Sequence, residues 1–210
     1  MDLIKQGLNG ENYNRIIRSL DEHVSFIKTM ENDSSDKSEA AIYSALVNFC
    51  AKTKLVISIY RDSFYNLENY PAQNFIKIIL ENLDAEVEKF IETSAELLRL
   101  IFDKKTENIA LNKSIEKVSF FIDNSSLVNL VTFNHHRTKM MGHKIALLEK
   151  INSNNEAIMA AIVNLEKCKD RLQDSQHNLY VSVQEYLSNM KIAAQSNNSN
   201  LDRRVLEHGH

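Results

Sequence analysis

Residues 71–101, PAQNFIKIILENLDAEVEKFIETSAELLRLI, decide the fold of this chain. Apolar residues recur along this stretch at alternating intervals of four and three, which is the spacing of one helix face. The seam consists of Ile76, Leu80, Leu83, Val87, Phe90, Ser94, Leu97 and Ile101. It is widened by Phe75, Ile79, Ile91 and Leu98. This breadth predicts a long helix packed among several others, and Pro71 suits its first turn because no backbone N–H is needed there.

Two earlier segments repeat the pattern. In residues 11–30 the seam consists of Tyr13, Ile17, Leu20, Val24 and Ile27. In residues 36–67 it consists of Ile42, Leu46, Phe49, Thr53, Val56 and Tyr60. Both seams predict helices that bury one face against their neighbours.

Glycine and proline are scarce along the whole chain. Its 210 residues include four glycines and one proline, and between residues 11 and 208 only Gly142 and Pro71 occur. Hairpins and strand–helix connections rely on turns that contain these residue types. The sequence therefore predicts an all-α protein, built as an elongated antiparallel bundle of long helices.

Polar stretches divide the helical pattern. Residues 69–71 and 123–126 are firm breaks, because the residue before a proline avoids the α region and DNSS supplies capping side chains. Softer polar stretches lie at 31–36, 103–107 and 152–155. If the soft stretches reverse the chain, it forms five or six helices. If only the firm breaks do so, it forms three long kinked helices, about 11–67, 72–122 and 126–195.

The two ends of the chain differ from its interior. We expect a flexible arm over residues 1–10, a single helical-bundle domain over 11–195 and a disordered tail over 196–210. The first 15 residues lack the apolar run of a signal peptide, and no window approaches 18 uninterrupted apolar residues. These features predict a cytoplasmic protein without a membrane-spanning helix.

The sequence contains no motif that carries catalytic or metal-binding chemistry. Cys50 and Cys168 fall on apolar stripes, which predicts buried free thiols. His136 and His143 are seven residues apart, which is too far for them to ligate one metal ion on a straight helix. Phosphate-binding loops, nucleophile elbows and dinucleotide fingerprints are absent from the sequence. We therefore expect no enzyme activity, no cofactor and no metal.

Charge is distributed unevenly along the chain. The formal net charge is -3, which gives no support to nucleic-acid binding. Between Arg99 and Lys150, nine basic and five acidic residues give a local charge of +4, so the remainder carries -7. A hairpin turning at residues 123–126 would gather these bases at one end. The candidate residues for contact with an anionic membrane or a protein partner are Lys104, Lys105, Lys113, Lys117, Arg137, Lys139 and Lys144.

Three long helices with a basic distal hairpin resemble the layout of a BAR domain, the homodimer that senses or stabilises membrane curvature. The resemblance extends over residues 11–195 and is one of layout, with no diagnostic motif. It implies a dimerising scaffold whose membrane contacts would be Lys113, Lys117, Arg137, Lys139 and Lys144. The alternative is a cytosolic helical-bundle adaptor or effector domain that binds another protein and has no membrane role. A third class is a helical bundle that holds a small molecule between its helices.

Overall fold

The computed structural model describes residues 10–34, 37–65, 70–124 and 130–207. These residues form helices and no strand, so the predicted all-α helical fold is confirmed. In chain order the helices are α1 (Gly10–Asp33), α2 (Lys37–Tyr65), α3 (Tyr70–Asn124) and α4 (Leu130–Glu207).

The helix boundaries show which polar stretches interrupt the helices. Both firm breaks coincide with ends of α3, which begins at Tyr70, with Pro71 in its first turn as predicted, and ends at Asn124. Of the soft stretches, only 31–36 separates two helices, α1 from α2. The stretches 103–107 and 152–155 lie inside α3 and α4. The described residues therefore form four helices, between the three and the five or six that the sequence left open.

The last helix extends further than the sequence predicts. Order was expected to end near residue 195, but α4 continues to Glu207. Elongation of an existing helix adds one hydrogen bond for each residue that is fixed, so a helix can extend beyond its apolar pattern. Residues 1–9, which make up nearly all of the predicted flexible arm, lie outside the described residues.

The chain divides into two compact units, and each contains segments of all four helices. Unit 1 comprises Met1–Glu22, Asn48–Phe90 and Lys169–His210. Unit 2 comprises His23–Val47 and Ile91–Cys168. The single domain over residues 11–195 stays a prediction, and each unit is described by itself below.

In unit 1, α1 and α2 run antiparallel. The Tyr13 hydroxyl lies 3.0 Å from Ser58 Oγ, and Lys54 Nζ donates to the Asp21 carboxylate at 2.8 Å. Residues further along α1 thus meet residues earlier in α2. The chain therefore reverses its direction between these two helices.

Helices α3 and α4 also run antiparallel in unit 1. The rings of Phe75 and Tyr186 stack with their centroids 4.3 Å apart. One turn along α3, Ile79 packs with Val183, one turn back along α4. The aromatic stack and the aliphatic contact both join α3 to α4 in this unit.

The buried positions keep the predicted heptad spacing, with a shift on two helices. Leu83, Val87 and Phe90 of α3 are buried, as predicted. The buried stripe of α1 consists of Ile16, Leu20, His23, Ile27 and Met30, and that of α2 of Tyr43, Leu46, Cys50, Thr53 and Ile57. Several predicted seam residues are half-buried instead, namely Tyr13, Ile17, Val24, Ile42, Phe49, Val56 and Tyr60. The shift brings His23 and Tyr43 into the core, and an apolar pattern gives no reason to select His23.

One stretch of α2, Glu39–Asp62, is long and apolar enough to cross a membrane, with a mean hydropathy of 1.3. The core helix of a soluble protein passes the same test of length and composition. One face of α2 is buried, while Leu55 and Ile59 on successive turns are exposed. The stretch therefore combines a packed face with exposed apolar side chains.

Candidate interaction site on the α3–α4 hairpin

A layer of polar side chains joins α3 to α4 in unit 2. Asn154 is 3% exposed, and its Nδ2 donates to Glu107 Oε2 at 3.1 Å and to Asn108 Oδ1 at 2.9 Å. Asn108 Nδ2 donates in turn to Asn155 Oδ1 at 2.9 Å. These contacts set the register of the antiparallel pair, so residues of α3 after 108 lie alongside residues of α4 before 154.

Glu107 connects this layer to lysines on both helices. Its carboxylate is 3.2 Å from Lys104 Nζ and 2.6 Å from Lys150 Nζ. The hydrogen bonds from Lys150 and then Lys104 lower the pKa of Glu107 to about 2. The polar stretches 103–107 and 152–155 stay helical because each supplies hydrogen-bonding partners to the other.

Lys105 forms an ion pair with a buried carboxylate. Glu39, in the first turn of α2, is 5% exposed and accepts hydrogen bonds from Lys105 Nζ, the Tyr43 hydroxyl and Ser34 Oγ. Burial, with the hydrogen bond to Glu39, raises the pKa of Tyr43 well above its ordinary value. Two of the predicted contact residues, Lys104 and Lys105, are therefore engaged in ion pairs within unit 2.

The other five predicted contact residues lie on what we call the hairpin end, residues 109–124 of α3 and 130–150 of α4. Glu116 and Asp123 are the acidic residues of the sequence between 113 and 144, so that interval carries a formal charge of +3. His135, His136 and His143 are exposed in the same interval. The bases comprise one half-buried residue, Lys144, and four exposed ones, Lys113, Lys117, Arg137 and Lys139.

Large apolar side chains are exposed on the same hairpin end. Among its residues whose burial is described, Val118 alone is buried. Phe120 and Phe121 are 66% and 63% exposed, and their ring centroids are 6.4 Å apart. The exposed set also contains Ile109, Met141, Ile145 and Leu148. The sequence does not predict this surface, because Met141, Ile145 and Leu148 have the same spacing as residues of a core face.

Other side chains with possible chemistry do not assemble into a site. In the parts of the chain that the structure describes, no group of three or more His, Cys, Asp and Glu side chains could hold a metal ion. Cys50 is buried, which raises the pKa of its thiol to about 12, and Cys168 is half-buried. Because a thiolate is the reactive form, Cys50 is poorly suited to nucleophilic chemistry.

No known family, curated protein or solved structure matches this chain. The resemblance to BAR domains therefore stays a prediction. Function has to be inferred from the chemistry of the surfaces, and the hairpin end combines positive charge with exposed aromatic rings.

Proposed function

We propose that this protein is a non-enzymatic helical scaffold that attaches peripherally to anionic membrane surfaces on their cytoplasmic side. The observation that carries the proposal is that the exposed bases and the exposed rings of Phe120 and Phe121 occupy the same hairpin end. A lysine or arginine close to an anionic membrane contributes about 1 kcal/mol of attraction. Exposed phenylalanine rings add apolar area that the boundary between headgroups and acyl chains accepts.

Self-association is part of the proposal. Two copies linked in a dimer would present two hairpin ends, and the second attachment would benefit from a high effective concentration. Leu55 and Ile59, exposed on successive turns of α2, supply apolar area for contact with a second copy. Light scattering coupled to gel filtration should then report twice the chain mass of 24.1 kDa. A mass of one chain at micromolar concentration would contradict this part of the proposal.

Co-sedimentation with vesicles tests the attachment. Vesicles of phosphatidylcholine with a third of phosphatidylserine should pellet the protein at low salt, and vesicles of phosphatidylcholine alone should not. Raising the salt to about 0.5 M should release most of the bound protein, because the Debye length falls to a few ångströms. A wild-type protein that stays in the supernatant with both kinds of vesicle would overturn the proposal.

Charge reversal locates the contact surface. Lys117→Glu combined with Lys139→Glu should abolish sedimentation, since both side chains are exposed on the hairpin end. The matched control reverses Lys52 and Lys191, which are also exposed but lie in unit 1. The two double variants have the same net charge, so equal losses would mean that total charge governs binding, and the assignment to the hairpin end would fail.

A second candidate function is a cytosolic adaptor that docks a helix of another protein. Met141, Ile145 and Leu148 favour it, because they are exposed and follow the spacing of a helix face that receives a partner helix. Such an adaptor would ignore vesicles of either composition. Leu148→Glu would then disrupt its complex, whereas the reversal of Lys117 and Lys139 would act mainly on the association rate.

A further inference from the structure

Unit 2 contains a cleft of about 560 Å³ that the hairpin proposal does not use. All four helices contribute to its walls. Sites for small molecules commonly have volumes of about 300–1,000 Å³, with mostly apolar walls and a few placed polar groups. This cleft has both the size and the composition of such a site.

The apolar wall of the cleft is long and partly open to solvent. It is formed by Met30, Ile42, Phe102, Ile109, Met159 and Ile162. Phe102, Ile109 and Met159 are 49%, 59% and 62% exposed. Covering these three side chains with an apolar ligand would remove them from water, which is favourable in proportion to the area buried. The wall therefore suits an alkyl chain.

The polar wall contains one basic side chain, Lys105, and two acidic ones, Glu39 and Asp33. It contains the ion pair of Lys105 with Glu39, and Tyr43 donates to the same carboxylate. An ammonium group has three donors, and within the described residues Glu39 takes one of them and no other protein acceptor meets Lys105. An oxygen acceptor on a ligand can accept from the remaining donors. A charged ligand would instead meet a like charge, since Glu39 and Asp33 oppose an anion and Lys105 opposes a cation.

We propose that the cleft binds an uncharged single-chain amphiphile, of which a monoacylglycerol is the simplest example. The alkyl chain lies along Phe102, Met159 and Ile162, and the ester or hydroxyl oxygens accept hydrogen bonds from Lys105. This binding site shares Ile109 with the hairpin end but none of the bases and neither of the phenylalanines, so it is tested separately from membrane attachment.

Fluorescence quenching tests the position of the ligand. The chain has no tryptophan, so Phe102→Trp creates a single reporter on the cleft wall. Phe120→Trp is the matched control, because Phe120 is also exposed but lies on the hairpin end away from the cleft. A monoacylglycerol brominated on its alkyl chain should quench F102W saturably, to less than half of its initial intensity, and F120W by less than a tenth. Equal quenching of both proteins would mean adsorption to any exposed apolar surface and would overturn the proposal.

Ligands with the same twelve-carbon chain test the chemistry of the polar end. The glycerol monoester should bind F102W at least ten-fold more tightly than the carboxylate or the trimethylammonium compound, measured below their critical micelle concentrations. Tighter binding of either charged ligand would contradict the assignment of a neutral head. Lys105→Met combined with Glu39→Gln, which leaves the net charge of the wall unchanged and removes the ammonium donors, should weaken binding of the monoester at least five-fold. Unchanged affinity in this double variant would remove Lys105 from the site.

A bulky residue at the cleft opening gives a test that does not depend on quenching. Met159→Trp should narrow the cleft and reduce by at least half the rise in melting temperature that the monoester causes in the wild type. Met141→Trp is the control, because Met141 is exposed and does not line the cleft. A rise of equal size in both variants would place the ligand elsewhere.

Discussion

The Nε2 atom of His23 lies 2.7 Å from the Oγ atom of Ser94, in the core of unit 2. His23 is 4% exposed and Ser94 is fully buried. Ser94 is the one polar member of the seam in residues 71–101, and His23 lies at a core position of α1. The polar interruption of the α3 seam therefore has a hydrogen-bonding partner 71 residues away in the chain. Burial lowers the pKa of His23 to about 4, so the ring is neutral at physiological pH.

The first prediction concerns the loss of stability in acid. Between pH 6.5 and 4 the unfolded chain takes up a proton on residue 23 and the folded chain does not, so the free energy of unfolding decreases as the pH falls. Above pH 6.5 the neutral His23 side chain imposes no penalty on folding. By pH 4 the free energy of unfolding is lower by about 3 kcal/mol. His23→Gln keeps a hydrogen-bonding side chain that does not titrate. Urea unfolding from pH 7.5 to 4 should show a flatter acid limb for H23Q, and parallel curves for the two proteins would contradict the assignment.

The second prediction concerns Asp84, which makes the free energy of unfolding decrease as the pH rises, the reverse of the effect of His23. Burial raises the pKa of Asp84 to about 6, with further contributions from Glu88 and Glu81 and opposition from Arg15. The folded chain therefore holds the extra proton between pH 3.8 and 6, and the free energy of unfolding decreases as the pH rises through that interval. Asp84→Asn should stabilise the protein by about 1–2 kcal/mol at pH 7.5, after allowance for solvent screening, and by almost nothing at pH 3.5.

The control for this variant is Glu92→Gln. Glu92 is an exposed carboxylate on the same helix, so its substitution should change the free energy of unfolding by less than about 0.5 kcal/mol at either pH. If D84N were equally stable relative to the wild type at pH 7.5 and 3.5, the raised pKa of Asp84 would be refuted. The measurement is chemical unfolding followed by circular dichroism.

The third prediction tests the polar layer between α3 and α4. Asn154→Ala removes the amide that donates to Glu107 and Asn108, and leaves half-buried acceptors with fewer partners. The expected loss is about 2 kcal/mol in the free energy of unfolding. Asn152→Ala, an exposed change of the same chemistry two residues away, should cost less than about 0.5 kcal/mol. Equal effects of the two substitutions would show that the layer adds little to stability.

The fourth prediction tests the core face of α3. Val87 is fully buried, so Val87→Asp places an unpaired carboxylate in an apolar environment at a cost of several kcal/mol. The variant should lose its cooperative thermal transition. Ala85→Asp introduces the same side chain at an exposed position two residues earlier and should melt within a few degrees of the wild type. A V87D protein with an unchanged melting temperature would remove residue 87 from the core.

The candidate site could be predicted in part. The bases from Lys113 to Lys144 gather on one hairpin because a firm break at 123–126 separates their helices, and that break is visible in the sequence. The ion pair of Lys105 could not be predicted, because its partner Glu39 lies on α2. The pair of Lys104 with Glu107 is local, since the two residues are three apart on α3. The exposure of Phe120 could not be predicted either, since an apolar residue becomes a core residue or a surface residue according to how the neighbouring helices pack around it.

The sequence by itself determined the all-α class, the break at Pro71 and the burial of Leu83, Val87 and Phe90, because helical periodicity is a property of neighbouring residues. Only the tertiary structure decided that residues 103–107 and 152–155 stay helical and that Ser94 pairs with His23. The physical reason is that a buried polar side chain is stabilised by its hydrogen-bonding partner. For Asn154 and His23 those partners lie 46 to 71 residues away, beyond the reach of any local pattern.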